Sequence, residues 1–176
     1  MNTELFLKIN SWAGHNYLLD QFMIFSADWL GYFLIAGVAL CFLRDRKKYK
    51  DMFFVSLVSA IIARFVFVEL IRYFYYNPRP FVVLENINVL MNHEMESSFP
   101  SGHAAFYFAL AAGIYFYNKK AGYAYLDLVG LIGFARVFVS VHWPLDIIMG
   151  AFLGIATAVG VYFVNQARTR FRPLSP

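Results

Sequence analysis

Long apolar runs are the feature that most limits what this chain can fold into. Of its 176 residues, 60% are apolar and only 15% are charged. A water-soluble globule of this length cannot hide so many apolar groups, and runs of this length are typical of membrane-spanning helices. The sequence therefore predicts an all-α, polytopic transmembrane helix bundle, with residues 1–176 forming a single membrane domain.

Charged clusters and prolines set the limits of the predicted spans. We expect five spans, at about residues 17–43, 52–76, 102–117, 122–141 and 144–164. The second has to end before Asn77-Pro78-Arg79-Pro80, because a helix cannot continue through these prolines. Residues 1–16 have amphipathic spacing but are too short to cross about 30 Å of hydrocarbon. We expect them to form an interfacial helix, and residues 81–100 to form a loop.

The positions of the basic residues predict the orientation. Ten of the 15 Lys and Arg residues fall in residues 44–50, at Lys119-Lys120 and in residues 168–172. With five spans, these stretches share one side of the membrane, which is the cytoplasmic side under the positive-inside rule. This clustering between apolar runs also argues against a nucleic-acid partner, despite the net charge of +4. Cys41 is the only cysteine, which excludes a disulfide framework.

Two groups of polar residues occur at the predicted outer ends of the second and third spans. Arg72 and Arg79 are seven residues apart, about two helical turns, so their guanidinium groups can lie on one side and bind a phosphate. Ser101 and Gly102 begin the third span, where unpaired backbone N–H groups can hold an anion. His103 follows in the first turn and can supply a proton. Each group also fits a purely structural role, such as a helix cap or an interfacial anchor.

A third group lies between the fourth and fifth spans. Arg136 ends one span, His142 lies in the turn, and Asp146 is in the first turn of the next helix. At this spacing Asp146 can accept a hydrogen bond from one ring nitrogen of His142, which leaves the other nitrogen available as a nucleophile. Taken alone, Asp146 is also explained as a favourable charge at a helix N-terminus.

The order and spacing of these groups resemble a known family. The motifs Arg72-x6-Arg79-Pro80, Pro100-Ser101-Gly102-His103 and Arg136-x5-His142-x3-Asp146 match the three-part signature of the type 2 phosphatidic acid phosphatase (PAP2) family. The resemblance covers about residues 50–165. The chain departs from the usual pattern in having Arg72 in place of Lys and Ala135 in place of Ser. Arginine keeps the positive charge and adds bidentate geometry.

The resemblance implies a membrane lipid phosphatase that needs neither a metal ion nor another cofactor. It implies that His142 attacks phosphorus to give a phosphohistidine, that Asp146 orients His142, and that His103 protonates the leaving oxygen and then activates water. The implied phosphate-binding groups are Arg72, Arg79, Ser101, Gly102 and Arg136.

The small size and short loops resemble the bacterial undecaprenyl-diphosphate phosphatases of this family. The resemblance therefore implies hydrolysis of undecaprenyl diphosphate to undecaprenyl phosphate at the outer face of the bacterial cytoplasmic membrane, with the lipid bilayer as partner. Phosphatidylglycerophosphate, phosphatidate and the phosphate of lipid A remain alternative substrates. A non-catalytic lipid-binding membrane protein and a small transporter remain alternative classes.

A few ionisable residues lie outside the signature. Arg64 and Glu69 lie within the second span and Asp127 within the fourth, where unpaired charge is costly, so we expect internal pairing or contact with a wet cavity. His15 and His93 are interpreted as ordinary polar residues.

Overall fold

The structure is a computed structural model that describes residues 2–91 and 95–170, and His93 lies outside the described residues. All regular elements within these ranges are helical. The α-helices are α1 Asn2–Asn10, α2 Tyr17–Asp28, α3 Leu30–Arg44, α4 Arg46–Ile62, α5 Glu69–Phe74, α6 Pro80–Val83, α7 Gly102–Tyr117, α8 Lys119–Phe138 and α9 Pro144–Arg170. A π-helical segment, Ala63–Val68, joins α4 to α5. The all-helical fold predicted from the sequence is confirmed.

Within the described ranges, three helical segments are long and apolar enough to cross a membrane: Arg46–Phe74, Lys119–Phe138 and Pro144–Arg170. A fourth crossing results if α2 and α3, which are bent by 49° relative to each other, form one broken span. The first expected span is therefore not one continuous helix. The third expected span, α7, has 16 residues and is only about 24 Å long. Because of this short length, α7 is not among the helices that are long enough to cross a membrane.

Helix α7 lies at the centre of the bundle and packs against α4, α8 and α9. Most of its side chains between Ala104 and Ile114 are buried. Large apolar side chains on the neighbouring helices instead point outward, including Phe152 and Phe163, which are 64% and 65% exposed. Apolar groups on the outside of a bundle suit a hydrocarbon environment.

Glycines bring α9 unusually close to α7. A Cβ atom on Gly150 would lie 2.6 Å from the carbonyl oxygen of Ser101, and one on Gly154 would lie 2.4 Å from that of Ala105. This is the packing expected of their small-xxx-small spacing. Gly130, in α8, has no neighbouring atoms within 4 Å of its Cβ position. The glycine therefore does not bring α8 closer to another helix.

The helix directions separate the basic stretches from the signature residues. At one end, the Ser101 N–H donates to the carbonyl oxygen of Asp146 over 3.0 Å. At the other end, Asn165 Nδ2 donates to the Tyr117 hydroxyl over 3.1 Å, so α7 and α9 run parallel. Helices α4 and α8 run in the opposite direction. Consequently the basic helix ends around residues 44–50, 119–120 and 168–170 lie at one end of the bundle, and the signature residues lie at the other.

Helix α1 packs on the end of the bundle that carries the signature residues. Phe6 is fully buried, with its ring centroid 5.2 Å from that of Trp143. Asn10 Nδ2 donates to the Phe138 carbonyl oxygen over 2.9 Å, and Asn2 Oδ1 accepts from the Leu145 N–H over 3.1 Å. The segment expected to be an interfacial helix is thus docked against the protein itself.

Candidate active site

The turn between α8 and α9 holds His142 and Asp146 together. Both side chains are 1% exposed, and His142 Nδ1 lies 3.4 Å from Asp146 Oδ2. The same carboxylate oxygen accepts the Trp143 N–H over 2.9 Å, while the His142 N–H donates to the Arg136 carbonyl oxygen. The i, i+4 contact predicted from the sequence is present. With a proton on Nδ1 shared with Asp146, Nε2 is the nitrogen left to react.

Backbone carbonyl groups position two buried guanidinium groups. Arg79 Nη1 donates to the Val141 carbonyl oxygen over 3.0 Å, directly before His142. Arg136 Nη1 donates to the Ala27 carbonyl oxygen over 3.1 Å. Both arginine residues are 2% exposed. The Ala27 carbonyl oxygen is available because α2 ends at Asp28, and the last carbonyl oxygens of a helix accept no hydrogen bond from that helix.

Arg72 joins the first signature motif to the second. Its Nη2 donates to the Pro100 carbonyl oxygen over 3.1 Å. Its Nη1 lies 4.0 Å from Glu69 Oε1 and 3.9 Å from Glu96 Oε2, and its side chain is 11% exposed. Arg72 is therefore held near the start of α7 by a backbone bond, with two carboxylates at longer range.

Ser101 joins the second motif to the third. It is fully buried, and its Oγ accepts the Ala104 N–H over 3.4 Å, so it caps α7 as the sequence predicts. Its own N–H donates to the Asp146 carbonyl oxygen. His103 follows in the first turn, half-buried, with its ring centroid 6.1 Å from that of Tyr107.

Charged groups from all three motifs affect the pKa of the His142 imidazole. Burial lowers the pKa of His142 well below its ordinary value of 6.5, and the positive charges of Arg136, Arg79, His103 and Arg72 lower it further. His142 is therefore a neutral imidazole at pH 7, which is the form that can act as a nucleophile. The structure brings the predicted site residues together at one end of the bundle.

Sequence reasoning missed the part that Arg64 plays beside these residues. Arg64 forms the expected internal ion pair with Glu69, but its side chain also lies against Gly102. Its charge inside an apolar run marked Arg64 in the sequence, but did not predict its contact with the start of α7. By contrast, His15 is exposed, as expected of an ordinary polar residue.

Two further contacts connect the site to the segments that precede α6 and α7. Trp143 Nε1 donates to the Pro78 carbonyl oxygen over 2.9 Å, and Asn77 Nδ2 donates to Ser98 Oγ over 2.9 Å. Across residues 2–91 and 95–170, no three His, Cys, Asp or Glu side chains gather as metal ligands. Among the described site residues, the arginine guanidinium groups supply fixed positive charge.

The fold and the site define a helical membrane protein with a buried cluster of arginine and histidine residues at one end of its bundle. The chain belongs to the PAP2 superfamily, whose sequence model matches residues 53–170. The family resemblance noted in the sequence is confirmed.

Two relatives and a solved structure match most of the chain. The chain is 32% identical over 165 residues to the undecaprenyl-diphosphatase BcrC of Bacillus subtilis (strain 168), covering 93% of this chain and 82% of that protein. It is 30% identical over 163 residues to the bacitracin transport permease protein BcrC of Bacillus licheniformis, covering 93% and 80%. The crystal structure of Aquifex aeolicus LpxE superposes with a TM-score of 0.76 at 32% identity, covering 92% of this chain and 94% of that one. The protein is thus a multi-pass membrane phosphatase of this family that acts on a lipid substrate.

Proposed function

We propose that this protein hydrolyses undecaprenyl diphosphate to undecaprenyl phosphate and inorganic phosphate through a phosphohistidine at His142. The observation that carries the proposal is the buried His142–Asp146 pair, surrounded by Arg72, Arg79 and Arg136. The choice of lipid is supported by similarity to the undecaprenyl-diphosphatase of Bacillus subtilis.

In the first step, His142 Nε2 attacks the terminal phosphorus. A nitrogen–phosphorus bond forms as the bond from phosphorus to the bridging oxygen breaks, and the electron pair leaves with undecaprenyl phosphate. His103 donates a proton to this leaving oxygen. Asp146 accepts the Nδ1–H bond throughout, which stabilises the positive charge that develops on the imidazole.

In the second step, His103 takes a proton from water as the water oxygen attacks the phosphohistidine. The nitrogen–phosphorus bond breaks, inorganic phosphate is released, and His142 returns to its neutral form. Arg72, Arg79 and Arg136 stabilise the negative charge on the transferred phosphoryl oxygens. The backbone N–H of Gly102 adds to this stabilisation, whereas the Ser101 N–H already donates to the Asp146 carbonyl oxygen.

We further propose that the site faces the outside of the bacterial cytoplasmic membrane. The basic helix ends lie at the end of the bundle opposite the signature residues, and basic residues favour the cytoplasmic side. A lipid phosphate at the opposite boundary would present its head to the site while its tail stays in the hydrocarbon.

The test is phosphate release from undecaprenyl diphosphate by the detergent-solubilised protein in the presence of a metal chelator. We expect the wild type to be active, His142→Ala to be inactive, and His15→Ala, at an exposed histidine, to match the wild type. Activity in His142→Ala, or loss of wild-type activity with chelator, would contradict the mechanism. Faster hydrolysis of phosphatidate, phosphatidylglycerophosphate or lipid A would contradict the choice of lipid alone.

A further inference from the structure

Arg64 lies beside the start of α7, in the π-helical segment Ala63–Val68. A Cβ atom on Gly102 would lie 2.5 Å from Arg64 Nε and 2.7 Å from its Cδ. Only glycine at position 102 leaves room for the Arg64 side chain to pack against the first turn of α7. The signature glycine therefore accommodates a specific arginine as well as exposing backbone N–H groups.

Arg64 and His103 line the same cavity. The cavity has a volume of about 150 Å³ and is lined by Ile35, Arg64, Gly102, His103, Phe106 and Tyr107. A volume of this size holds a few water molecules or one small anionic group. Its lining combines a guanidinium and an imidazole group with apolar and aromatic side chains. Such a cavity suits a phosphate that is attached to a hydrocarbon chain.

A carboxylate connects this cavity to the rest of the site. Glu69 is ion-paired with Arg64, and its Oε1 also lies 4.0 Å from Arg72 Nη1. The Arg64 side chain remains 27% exposed, so part of it is accessible to a ligand. Arg64 itself lies in the π-helical segment Ala63–Val68, and such segments occur frequently at functional sites.

The proposed reaction determines which part of the substrate reaches this cavity. His103 protonates the leaving oxygen, so the leaving group has to lie on the His103 side of the transferred phosphorus. In a lipid diphosphate that leaving group is itself a phosphate attached to the prenyl chain. We infer that Arg64 binds this lipid-attached phosphate and thereby selects lipid diphosphates, an inference that rests on the proposed function.

Charge development explains why an arginine at this place would matter for a diphosphate. Negative charge grows on the lipid-attached phosphate as the bridging bond breaks, so a cation beside it stabilises the transition state more than the ground state. A lipid monophosphate instead releases an alcohol, which gains little from a guanidinium group. Arg64 is therefore a specificity residue, distinct from the arginines that surround the transferred phosphoryl group.

The test compares Arg64→Met and Arg64→Lys with the wild type, using farnesyl diphosphate as substrate in detergent. We expect Arg64→Met to lower kcat/KM by about 10- to 100-fold, and Arg64→Lys to recover part of the loss. Arg64→Met should lower kcat/KM for farnesyl monophosphate by less than about threefold, because the alcohol released from it carries no phosphate for Arg64 to bind. Its inhibition constant for inorganic phosphate should stay within about twofold, because phosphate binds where the transferred group does.

Arg44→Met is the matched control, since Arg44 is exposed at the opposite end of the bundle, and it should leave all three quantities unchanged. The inference is overturned if Arg64→Met keeps wild-type kcat/KM for farnesyl diphosphate, or if it lowers kcat/KM for farnesyl monophosphate by the same factor. A wild type that releases no phosphate from any prenyl diphosphate would overturn the proposed function, and this inference with it. Wild-type activity together with an unaffected Arg64→Met would overturn the inference alone.

Discussion

At the scale of single residues, Asp146 has the most demanding position. It is buried, and one of its carboxylate oxygens accepts the Trp143 N–H and also lies 3.4 Å from His142 Nδ1. An asparagine there would keep the size of the side chain but lose the negative charge that favours the developing imidazolium. Its amide could also turn a donor toward Nδ1 and favour the wrong tautomer.

We therefore expect Asp146→Asn to lower kcat by on the order of 100-fold or more, with a smaller effect on KM. Steady-state phosphate release measures both quantities. Size-exclusion chromatography of the variant in detergent serves as the control for folding. A variant with wild-type kcat would show that Asp146 does not orient the nucleophile.

The lowered pKa of His142 leads to a prediction about how the free energy of unfolding depends on pH. Because this pKa is lower in the folded protein than its ordinary value of 6.5, the unfolded chain binds more protons between the two values. The contribution of His142 to the free energy of unfolding should thus fall as the pH drops below about 6.5 and through the folded-state pKa. Thermal unfolding in detergent, at several pH values between about 8 and 5, measures how stability depends on pH. His142→Asn should remove this contribution, whereas His15→Asn, at an exposed position, should not.

Some of these residue-scale features could be read from the sequence and others could not. Local spacing predicts the Ser101 cap and the His142–Asp146 contact, because both depend on residues within one helical turn. The contact between Arg64 and Gly102 joins residues 38 positions apart in the numbering.

At the scale of helices, the packing of α9 on α7 links stability to the site. The two helices touch through Gly150 and Gly154, and the same pair of helices carries the bond from Ser101 N–H to the Asp146 carbonyl oxygen. A side chain on either glycine would push the helices apart. The helix-start groups of α7 would then move away from His142.

We expect Gly154→Val to destabilise the protein by about 1–3 kcal/mol through overpacking, and to lower activity as well. Gly160→Val is the matched control, because Gly160 lies in the same helix with no atoms within 4 Å of its Cβ position. The thermal unfolding midpoints of the two variants provide the comparison. Equal midpoints would show that the close approach of α7 and α9 does not contribute to stability.

The break between α2 and α3 is another feature of this scale that the sequence did not predict. Residues 17–43 read as one apolar run, but the chain bends by 49° at Trp29. The bend leaves the Ala27 carbonyl group facing Arg136, and Gly31 packs against the Tyr107 ring. The apolar composition of a segment predicts that it avoids water, but it does not predict which of its carbonyl groups face a distant arginine.

At the scale of the whole molecule, polar chemistry and basic charge occupy opposite ends of the bundle. The first helix, α1, packs against the signature end through Phe6 and Trp143. The loop after α6 lies at the same end, and Glu85 within it is exposed. Lys47, in the first turn of α4, is exposed at the other end. These two positions can report the orientation in a membrane.

We expect Glu85→Cys, made in a Cys41→Ser background, to react with a membrane-impermeant maleimide in intact cells. Lys47→Cys should react only after the cells are permeabilised, because the basic end faces the cytoplasm under the positive-inside rule. Gel-shift detection of the labelled protein measures both. The opposite pattern of labelling would place the site on the cytoplasmic side.

By itself the sequence determined the membrane-spanning class, the helical fold and the residue types of the site. These follow from apolar runs, helix-breaking prolines and short-range spacing, which are local properties of a chain. Only the tertiary structure decided that α7 lies at the centre, that α1 docks on the site, and that Arg64 shares a cavity with His103. Those features depend on close packing between helices far apart in sequence, where one missing Cβ atom determines which side chains can meet.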